Sequence, residues 1–459
     1  MGAQQKTHRV LGGGGDRGEA PKDDARGAEP MAANFESESP SACDRLMEEV
    51  CERENLKQAL KRVKANKGAP GVDGMTVQEL PAHLREYWPS IRTTLLNGTY
   101  RPQPVRRVEI PKPDGGVRKL GIPCALDRFV QQAVLQVLQR QWDPTFSDAS
   151  YGFRPGRSAH QAVERAQSHI QAGLRWVVDL DLEKFFDRVS HDILMSRVAK
   201  RVSDKRMLRL IRAFLTAGVL ENGLVGATDE GTPQGGPLSP LLSNLMLDDL
   251  DRELERRGLQ FVRYADDCNV YVRSERAGQR VMLGLKAFLT SKLKLKVNEA
   301  KSAVAQPHTR KFLGFTFTVH AQARRRIAPK ALERFRERIR ELTQRTRGIS
   351  VDQMIGELKR YLTGWRGYYG FCETPYVLHK LDEWIRRRLR CFFWKQWRRG
   401  RTRFGELVAR GVNRNLAAQT AGSPHGVWRL SCSPALNKAL SNRYFLSLGL
   451  PSVGPVPIN

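Results

Sequence analysis

The sequence predicts an α/β region followed by a mostly helical, strongly basic region. Two β-like runs, 261–263 and 269–272, flank the tetrapeptide Tyr-Ala-Asp-Asp at 264–267, and a further β-branched run that begins at Trp176 leads into acidic residues. Beyond Pro329, apolar residues recur at helical spacing among many arginines. The fold class is predicted from strands that carry acidic ends and from the amphipathic helices that follow them.

Composition narrows the function classes. The chain has 459 residues, 40% of them hydrophobic, which is enough for roughly two to four packed units. Its 77 Lys plus Arg exceed its 48 Asp plus Glu, so the formal charge is +29 and the pI is about 10.2. Repulsion among so many positively charged side chains favours a polyanionic partner. Nucleic acid fits better than a membrane, because no run approaches the roughly 20 apolar residues that span a bilayer.

The N-terminal residues and the cysteines carry no recognisable site. Residues 1–40 combine four consecutive glycines with polar residues and few large apolar ones, so we expect disorder there. The glycines lack the preceding strand and the following Lys-Ser/Thr of a phosphate loop. The seven cysteines form no C-x-x-C pair, which disfavours both a disulfide framework and a zinc finger and fits a reducing cytosol.

The first elements lead to a basic hairpin. A helix is predicted over 43–65, followed by a turn-rich loop at 68–74. Two β-like segments, 106–110 and 118–122, then flank a turn at 113–116, and both carry cations. Farther along, the apolar residues from Val281 mark a helix face, and Leu293, Leu295 and Val297 alternate with lysines as in a strand.

Adjacent carboxylates at a hairpin tip are the strongest chemical signal. Asp266 and Asp267 repel each other unless a cation neutralises them, and a hard divalent ion suits oxygen ligands. Neighbouring strand residues point to opposite faces, so one of the two should dominate and another carboxylate must join it. Asp181, which follows the run from Trp176, is our candidate. Two ions held in this way favour phosphoryl transfer; the alternative is a solvated strand end or turn.

Several motifs occur in the order seen in reverse transcriptases. They are 110–123, 151–158, 231–240, 264–267 and 311–315. Over roughly residues 45–450 the chain resembles the reverse transcriptase and maturase proteins encoded by group II introns. The resemblance implies an α/β right-hand polymerase, with fingers and palm at 41–320, followed by mostly α-helical thumb and maturase (domain X) helices at 321–404. A DNA-binding segment at 405–459 is implied as well.

The resemblance also implies roles for individual residues. Asp181, Asp266 and Asp267 would be catalytic and, with the backbone oxygen of Leu182, would hold Mg²⁺, for which Mn²⁺ could substitute. The residues implied for the deoxynucleotide (dNTP) substrate are Arg106, Lys112 and Arg118 on the triphosphate, Phe186 on the sugar and Gln234 beside the nascent base pair. The alternatives are a solvated basic hairpin, core packing of one of the Phe185–Phe186 pair, and an ordinary tight loop.

The helical region would bind structured RNA. Leu332, Phe335, Ile339 and Leu342 form one apolar stripe, and two further helices carry aromatic residues that are mainly core. The motif Gly-Trp-Arg-Gly-Tyr-Tyr at 364–369 resembles the maturase domain. Dispersed arginines suit recognition of RNA by shape and phosphates. Those expected to bind RNA are Arg334, Arg338, Arg366, Arg386, Arg387 and Arg390.

The resemblance implies partners and leaves competing functions open. The partners are the group II intron RNA, an RNA template with a DNA primer, and the target DNA. Because no His/Cys module follows, we expect a bacterial, group IIC-like protein without an endonuclease, associated with nucleic acid in the cytoplasm. The alternatives are an RNA-binding splicing cofactor without significant polymerase activity, and a retron or defence-type reverse transcriptase.

Overall fold

A computed structural model describes residues 45–111, 116–221, 224–226, 230–232, 235–320 and 322–455. The N-terminal tail predicted to be disordered (residues 1–40), Lys112 and Gln234 lie outside the described residues. The backbone of Arg118 is described, but its side chain is not.

Helices and strands alternate up to about residue 327, and helices follow. The strands are β1 (Val105–Pro111), β2 (Val117–Ile122), β3 (Trp176–Leu180), β4 (Val219–Glu221), β5 (Leu224–Gly226), β6 (Gln260–Tyr264), β7 (Asp267–Val272), β8 (Ala303–Ala305), β9 (Phe315–Phe317) and β10 (Arg325–Ile327). The helices are α1 (Leu46–Val50), α2 (Arg53–Ala65), α3 (Leu80–Leu96), α4 (Ala125–Trp142), α5 (Ala159–Gln171), α6 (His191–Ala199), α7 (Lys205–Leu215), α8 (Ser239–Arg256), α9 (Glu275–Phe288), α10 (Pro329–Leu342), α11 (Val351–Tyr369), α12 (Pro375–Gln396), α13 (Gly400–Ala409), α14 (Arg414–Ala421), α15 (Val427–Leu430), α16 (Pro434–Ala439) and α17 (Asn442–Ser447).

The basic hairpin predicted from the sequence forms one edge of a sheet with the order β2-β1-β4-β5. β1 and β2 pair in antiparallel register, with Arg107 opposite Gly121 and Glu109 opposite Lys119. β4 joins β1 in parallel. Side chains alternate across the sheet, so Arg106 and Arg107 lie on opposite faces.

A second sheet, with the order β6-β7-β3-β8, carries the acidic residues. All its neighbouring strands are antiparallel. Buried apolar residues such as Val178, Leu180 and Val270 face the same core as helices α4 and α8. The sheet packs on the helices through this core, and this packing fixes the positions of the ends of β3 and β7.

The C-terminal helices form a separate hydrophobic core. Phe335 and Ile339 of α10 pack with Leu358 of α11, Leu389 of α12 and residues from the helices up to α17. The predicted stripe of α10 is therefore buried, and its arginines lie on the other faces. The fold class predicted from the sequence, an α/β polymerase-like region followed by a helical region, is confirmed. Within the described ranges, no helix is long and apolar enough to cross a bilayer.

Helix α5 packs against the sheet that carries the acidic residues. It begins at a capping box in which the amide of Gln161 donates to Ser158 Oγ and the amide of Ser158 donates to Gln161 Oε1. Farther along α5, the buried ring of His169 lies 5.4 Å from the ring of Tyr271 in β7. Burial lowers the pKa of His169 to about 4.

This lowered pKa predicts a loss of stability in mild acid. The unfolded chain binds a proton at His169 near its ordinary pKa of 6.5, whereas the folded chain resists protonation. His169 therefore does not reduce the free energy of unfolding above about pH 6.5, and it reduces this free energy progressively as the pH drops toward 4. Between pH 7 and 5 the loss is about 2 kcal/mol. We expect His169→Gln, which cannot be charged, to flatten this part of the urea-unfolding profile; an identical pH profile for both proteins would contradict the assignment.

Candidate active site

The two adjacent aspartates occupy a tight turn between β6 and β7. Tyr264 pairs with Asp267 across the hairpin, which leaves Ala265 and Asp266 as the turn residues. Ala265 adopts a φ of 57°, a left-handed conformation that costs a non-glycine residue roughly 1–2 kcal/mol. Contacts with other residues must therefore stabilise this turn.

Arg263, two residues before Ala265, stabilises the turn through its buried side chain. It is 0% exposed. Its Nε and Nη2 donate to the two carboxylate oxygens of Asp251 in α8 at 2.7 and 2.5 Å. Its Nη1 donates to the carbonyl oxygen of Ala265 at 2.9 Å and to Asn244 Oδ1 at 3.0 Å. One buried guanidinium thus ties the strained turn to helix α8.

The segment around Gly152 closes the outer side of the hairpin. The amide of Tyr151 donates to the Arg263 carbonyl, and the amide of Arg263 donates to the Ala149 carbonyl. A Cβ on Gly152 would lie 2.2 Å from the amide nitrogen of Ala265. Only glycine allows this approach, which explains a glycine within the 151–158 motif.

Asp181 follows β3, the strand that pairs directly with β7 in the same sheet. Leu180 of β3 pairs with Cys268 of β7, so the following residue, Asp181, emerges beside Asp267. Its amide donates to Ser302 Oγ at 3.0 Å, and its carbonyl accepts from the Asn298 amide at 2.8 Å. The structure therefore brings the three predicted carboxylates to one end of the sheet.

The clustering of carboxylates has an electrostatic cost. Desolvation in the cleft, and then the neighbouring charges of Asp266, Asp181 and Asp179, raise the pKa of Asp267 to about 7, although its side chain is still reached by water. Asp179 lies deeper and accepts a hydrogen bond from Arg310 Nε at 2.7 Å. Burial nevertheless raises the pKa of Asp179. Nearby cations offset part of the repulsion, with Lys301 Nζ 4.0 Å from Asp181 Oδ2.

The carboxylates line a cavity of about 1450 Å³ between the two sheets and helix α4. Leu182, Phe185 and Phe186 also line it, and of the two phenylalanines Phe185 is buried in the core whereas Phe186 is only partly buried. From the basic hairpin, Arg107 and Lys119 line the cavity, and Arg106 is not among its described lining residues. Lys112, Gln234 and the side chain of Arg118 fall outside what the structure describes.

Arg128 and Phe153 are two further cavity residues that sequence reasoning did not identify, besides Arg107 and Lys119. Arg128 in α4 lies among apolar neighbours and is largely buried; its Nη2 donates to the Ala69 carbonyl and fixes the 68–74 loop at the cavity rim. The available signal was an arginine in the first turn of α4, before the apolar residues of that helix. Phe153 also lines the cavity, with its ring half exposed.

The predicted RNA-binding arginines fall into two groups. Arg334 and Arg338 on α10 and Arg366 on α11 are exposed. Arg386, Arg387 and Arg390 on α12 are partly buried. Arg387 Nη2 donates to the Trp428 carbonyl, and Arg390 Nε donates to the Leu440 carbonyl. These two donors therefore also join α12 to the C-terminal helices.

The donor set fits a hard divalent cation. The cavity end of the sheet presents the carboxylate oxygens of Asp181, Asp266 and Asp267. After desolvation, the charges of neighbouring aspartates are the next cause of the raised pKa of Asp267, and a cation would relieve their repulsion. In the part of the chain that the structure describes, no group of three His, Cys, Asp or Glu side chains is arranged to hold a metal ion by itself.

Comparison with known proteins gives two domain matches and several relatives. Residues 110–317 match the family "Reverse transcriptase (RNA-dependent DNA polymerase)", and residues 332–411 match "Group II intron, maturase-specific domain". Protein YkfC of Escherichia coli (strain K12) is 35% identical over 61% of this chain and 84% of its own length. Group II intron-encoded protein LtrA of Lactococcus lactis subsp. cremoris is 31% identical over 57% of this chain and 54% of its own length. The chain thus spans about half the length of LtrA.

The Arg263 network predicts that stability and catalysis can be separated. Arg263→Met leaves the buried charge of Asp251 unpaired and should cost about 3–5 kcal/mol of unfolding free energy. The double variant Arg263→Met/Asp251→Leu removes both charges, so most of the stability should return. The turn would still lack its donor to Ala265, and primer extension should stay reduced on the order of 100-fold.

A matched control distinguishes this role from general destabilisation. Arg206 pairs with Asp204 and Glu48 far from the hairpin, so Arg206→Met should lower stability and leave kcat unchanged. Denaturant unfolding and steady-state extension measure the two effects. Full activity in the stable double variant would show that Arg263 does not position the turn.

Proposed function

The chain belongs to the family of group II intron-encoded reverse transcriptases and maturases, and from this premise we propose that it is an RNA-directed DNA polymerase that also binds its own intron RNA to promote splicing and mobility. The family resemblance drawn from the motifs is thereby confirmed. The observation that carries the polymerase assignment is the meeting of Asp181 with the 266–267 turn in a cavity that Arg107 and Lys119 border. Because both domain families match, a splicing cofactor without polymerase activity is not favoured.

The family uses divalent metal ions and dNTPs, and we propose Mg²⁺, with Mn²⁺ as a substitute. Asp181, Asp266, Asp267 and the backbone oxygen of Leu182 would hold it, together with substrate phosphates, so no preformed group of three side chains is required. When bound, such ions activate the primer 3′-hydroxyl and stabilise the leaving pyrophosphate. Ser302 and Asn298 orient the backbone of Asp181 for this task.

The incoming nucleotide is proposed to lie between the carboxylates and the basic hairpin. Phe186 borders this space and would contact the sugar, where its ring would exclude a 2′-hydroxyl. Lys112 and Arg118 stay our candidates for the triphosphate, with Gln234 beside the base; Arg106 was expected there too, but it lies on the face of the sheet opposite Arg107, which borders the cavity. Arg107 and Lys119 join them because they border the cavity, and both lie near Glu221, which a triphosphate would displace.

The helical region is proposed to hold the intron RNA. Arg334, Arg338 and Arg366 are exposed on α10 and α11 and would contact phosphates, Arg338 in place of Glu341 and Arg366 in place of the Ser452 carbonyl. Arg386, Arg387 and Arg390 would contribute their remaining donors. We propose functional boundaries near residues 320 and 404, with 405–459 contacting target DNA. We propose that the protein, acting on a template–primer duplex and on target DNA, is associated with nucleic acid in the bacterial cytoplasm.

The polymerase assignment predicts a severe loss on removal of one carboxylate. Replacing Asp266 by Asn keeps the size of the side chain but removes the charge that binds the cation. Partners that only orient metal ligands cost 10–100-fold when they are removed, so a ligand itself should cost at least about 100-fold. We expect Asp266→Asn to lose extension of a DNA primer on an RNA template by this factor while it still binds RNA.

The control is Asp249→Asn on α8, a carboxylate that pairs with Arg197 away from the cavity. It should extend primers at the wild-type rate. Comparable extension by the Asp266→Asn variant and the wild-type protein would refute the polymerase assignment.

The RNA-binding assignment predicts a salt dependence that follows specific arginines. Triple substitution of Arg334, Arg338 and Arg366 by Gln should weaken binding of the cognate intron RNA. The slope of log K against log salt should become shallower by roughly 0.7–0.9 for each phosphate that the variant no longer neutralises. Filter binding over a range of KCl concentrations measures both effects.

A matched triple variant, Arg209→Gln, Arg212→Gln and Arg280→Gln, removes the same charge from exposed sites on α7 and α9. It should leave the slope close to that of the wild-type protein. Equal slopes for the two triple variants would remove α10 and α11 from the RNA-binding surface. Restored splicing of the cognate intron by wild-type protein, but not by the first variant, would disfavour a retron-type function.

A further inference from the structure

The side chain of Phe153 is in an unusual place for a large apolar residue. Its ring is 48% exposed, and it borders the same cavity as Asp266 and Asp267. Its described aromatic neighbour is Tyr264, whose ring centroid lies 6.5 Å away. The ring therefore contributes little to the hydrophobic core.

The backbone of Phe153 is strained as well. Its φ is 60°, which a bulky residue adopts only when the surrounding structure imposes it. Both neighbours do so. Gly152 is pressed against the Ala265 amide, and its carbonyl accepts from Asn244 Nδ2 at 2.8 Å. Arg154 is buried and donates to Asp143 Oδ1 and to the Ser150 carbonyl.

The strained backbone holds an apolar ring at a position that is exposed to water. A glycine at position 153 would adopt this φ without strain, and a buried ring would gain hydrophobic stabilisation. Phe153 has neither advantage. Strained residues of this kind cluster where a ligand is bound. Aromatic rings at the surface of nucleic-acid sites stack on bases or pack on sugars, because phosphates prefer cations and water.

The sheet order indicates which part of the substrate the ring meets. Ser150 forms an isolated bridge with Arg263, so residues 149–151 lie along the edge of β6 that faces away from β7, and Phe153 follows them. Asp181 and Phe186 lie on the other side of the hairpin, next to β3. With the primer end at the 266–267 turn, the incoming nucleotide would lie on the side of Phe186. Phe153 lies on the opposite side of the primer end.

We propose that the Phe153 ring packs against the terminal base pair of the primer–template duplex and holds the primer end over the aspartates. This inference rests on the proposed polymerase function and adds a duplex-contacting residue to it. The incoming nucleotide is contacted from the opposite side of the hairpin.

The test measures duplex binding directly, by fluorescence anisotropy with a labelled DNA primer on an RNA template. Phe153→Gly removes the ring and relieves the backbone strain, so the protein should be at least as resistant to unfolding. Its affinity for the duplex should fall roughly 5- to 150-fold, the range for removal of one stacked aromatic. Phe153→Tyr should stay within about threefold of wild type, and the KM for dNTP should not change in either variant.

Lys294→Gly is the matched control, because Lys294 also has a positive φ, 56°, and is not among the residues that border the cavity. It should bind the duplex like wild type. Equal duplex affinity of Phe153→Gly and wild type would overturn the inference, as would a raised KM for dNTP with unchanged duplex affinity. Failure of the wild-type protein to extend a bound primer would instead count against the proposed function, because binding is measured without extension.

Discussion

The buried ion pair between Arg263 and Asp251 is the interaction on which the candidate active site depends. A turn that carries two adjacent carboxylates is repelled by its own charge and strained at Ala265. Arg263 stabilises the strained backbone, because its buried guanidinium donates to the Ala265 carbonyl, and the charge of Lys311 offsets part of the repulsion at Asp267. Desolvation of the pair is costly, and it is offset by bidentate geometry and by hydrogen bonds to Asn244 and Ala265.

The same network explains why distant sequence motifs are required together. Asn244 accepts from Arg263 and donates to the Gly152 carbonyl, so the 151–158 motif, helix α8 and the aspartate turn share one set of hydrogen bonds. Phe153 follows Gly152 directly, so its position is fixed by the same contacts. A change in any one of these segments would move the turn and the cavity wall at the same time.

Local patterns allowed much of this structure to be predicted, whereas long-range contacts could not be read from the sequence. The hairpin at 264–267 and the α10 stripe follow from alternation, charge and helical spacing. The alternation at 293–297 was misleading: Leu293 ends the π-helical turn Leu289–Leu293, residues 294–296 form no regular element, and Val297 makes an isolated bridge with Leu182. Nothing local distinguishes Arg263 from a solvated strand arginine, because its role depends on an aspartate that another helix supplies. Likewise, the arginines of α12 were expected to be free for RNA, but the partners of two of them come from a C-terminal segment about 40 to 50 residues away.

The motif at 364–369 joins the two halves of the molecule. Tyr368 Oη donates to the Leu313 carbonyl, and His160 Nε2 is 2.8 Å from the Tyr368 carbonyl oxygen. Tyr369 lies so close to Gly314 that a Cβ there would be 2.7 Å from its hydroxyl oxygen. These aromatic residues bind α11 to the loop before β9 and to α5. Because α5 also packs on the strands of the aspartate hairpin, the helices proposed to hold intron RNA rest on the same framework that positions the catalytic turn. The tyrosines of the motif that resembles the maturase domain therefore have a packing role in the fold, whatever RNA the helices hold.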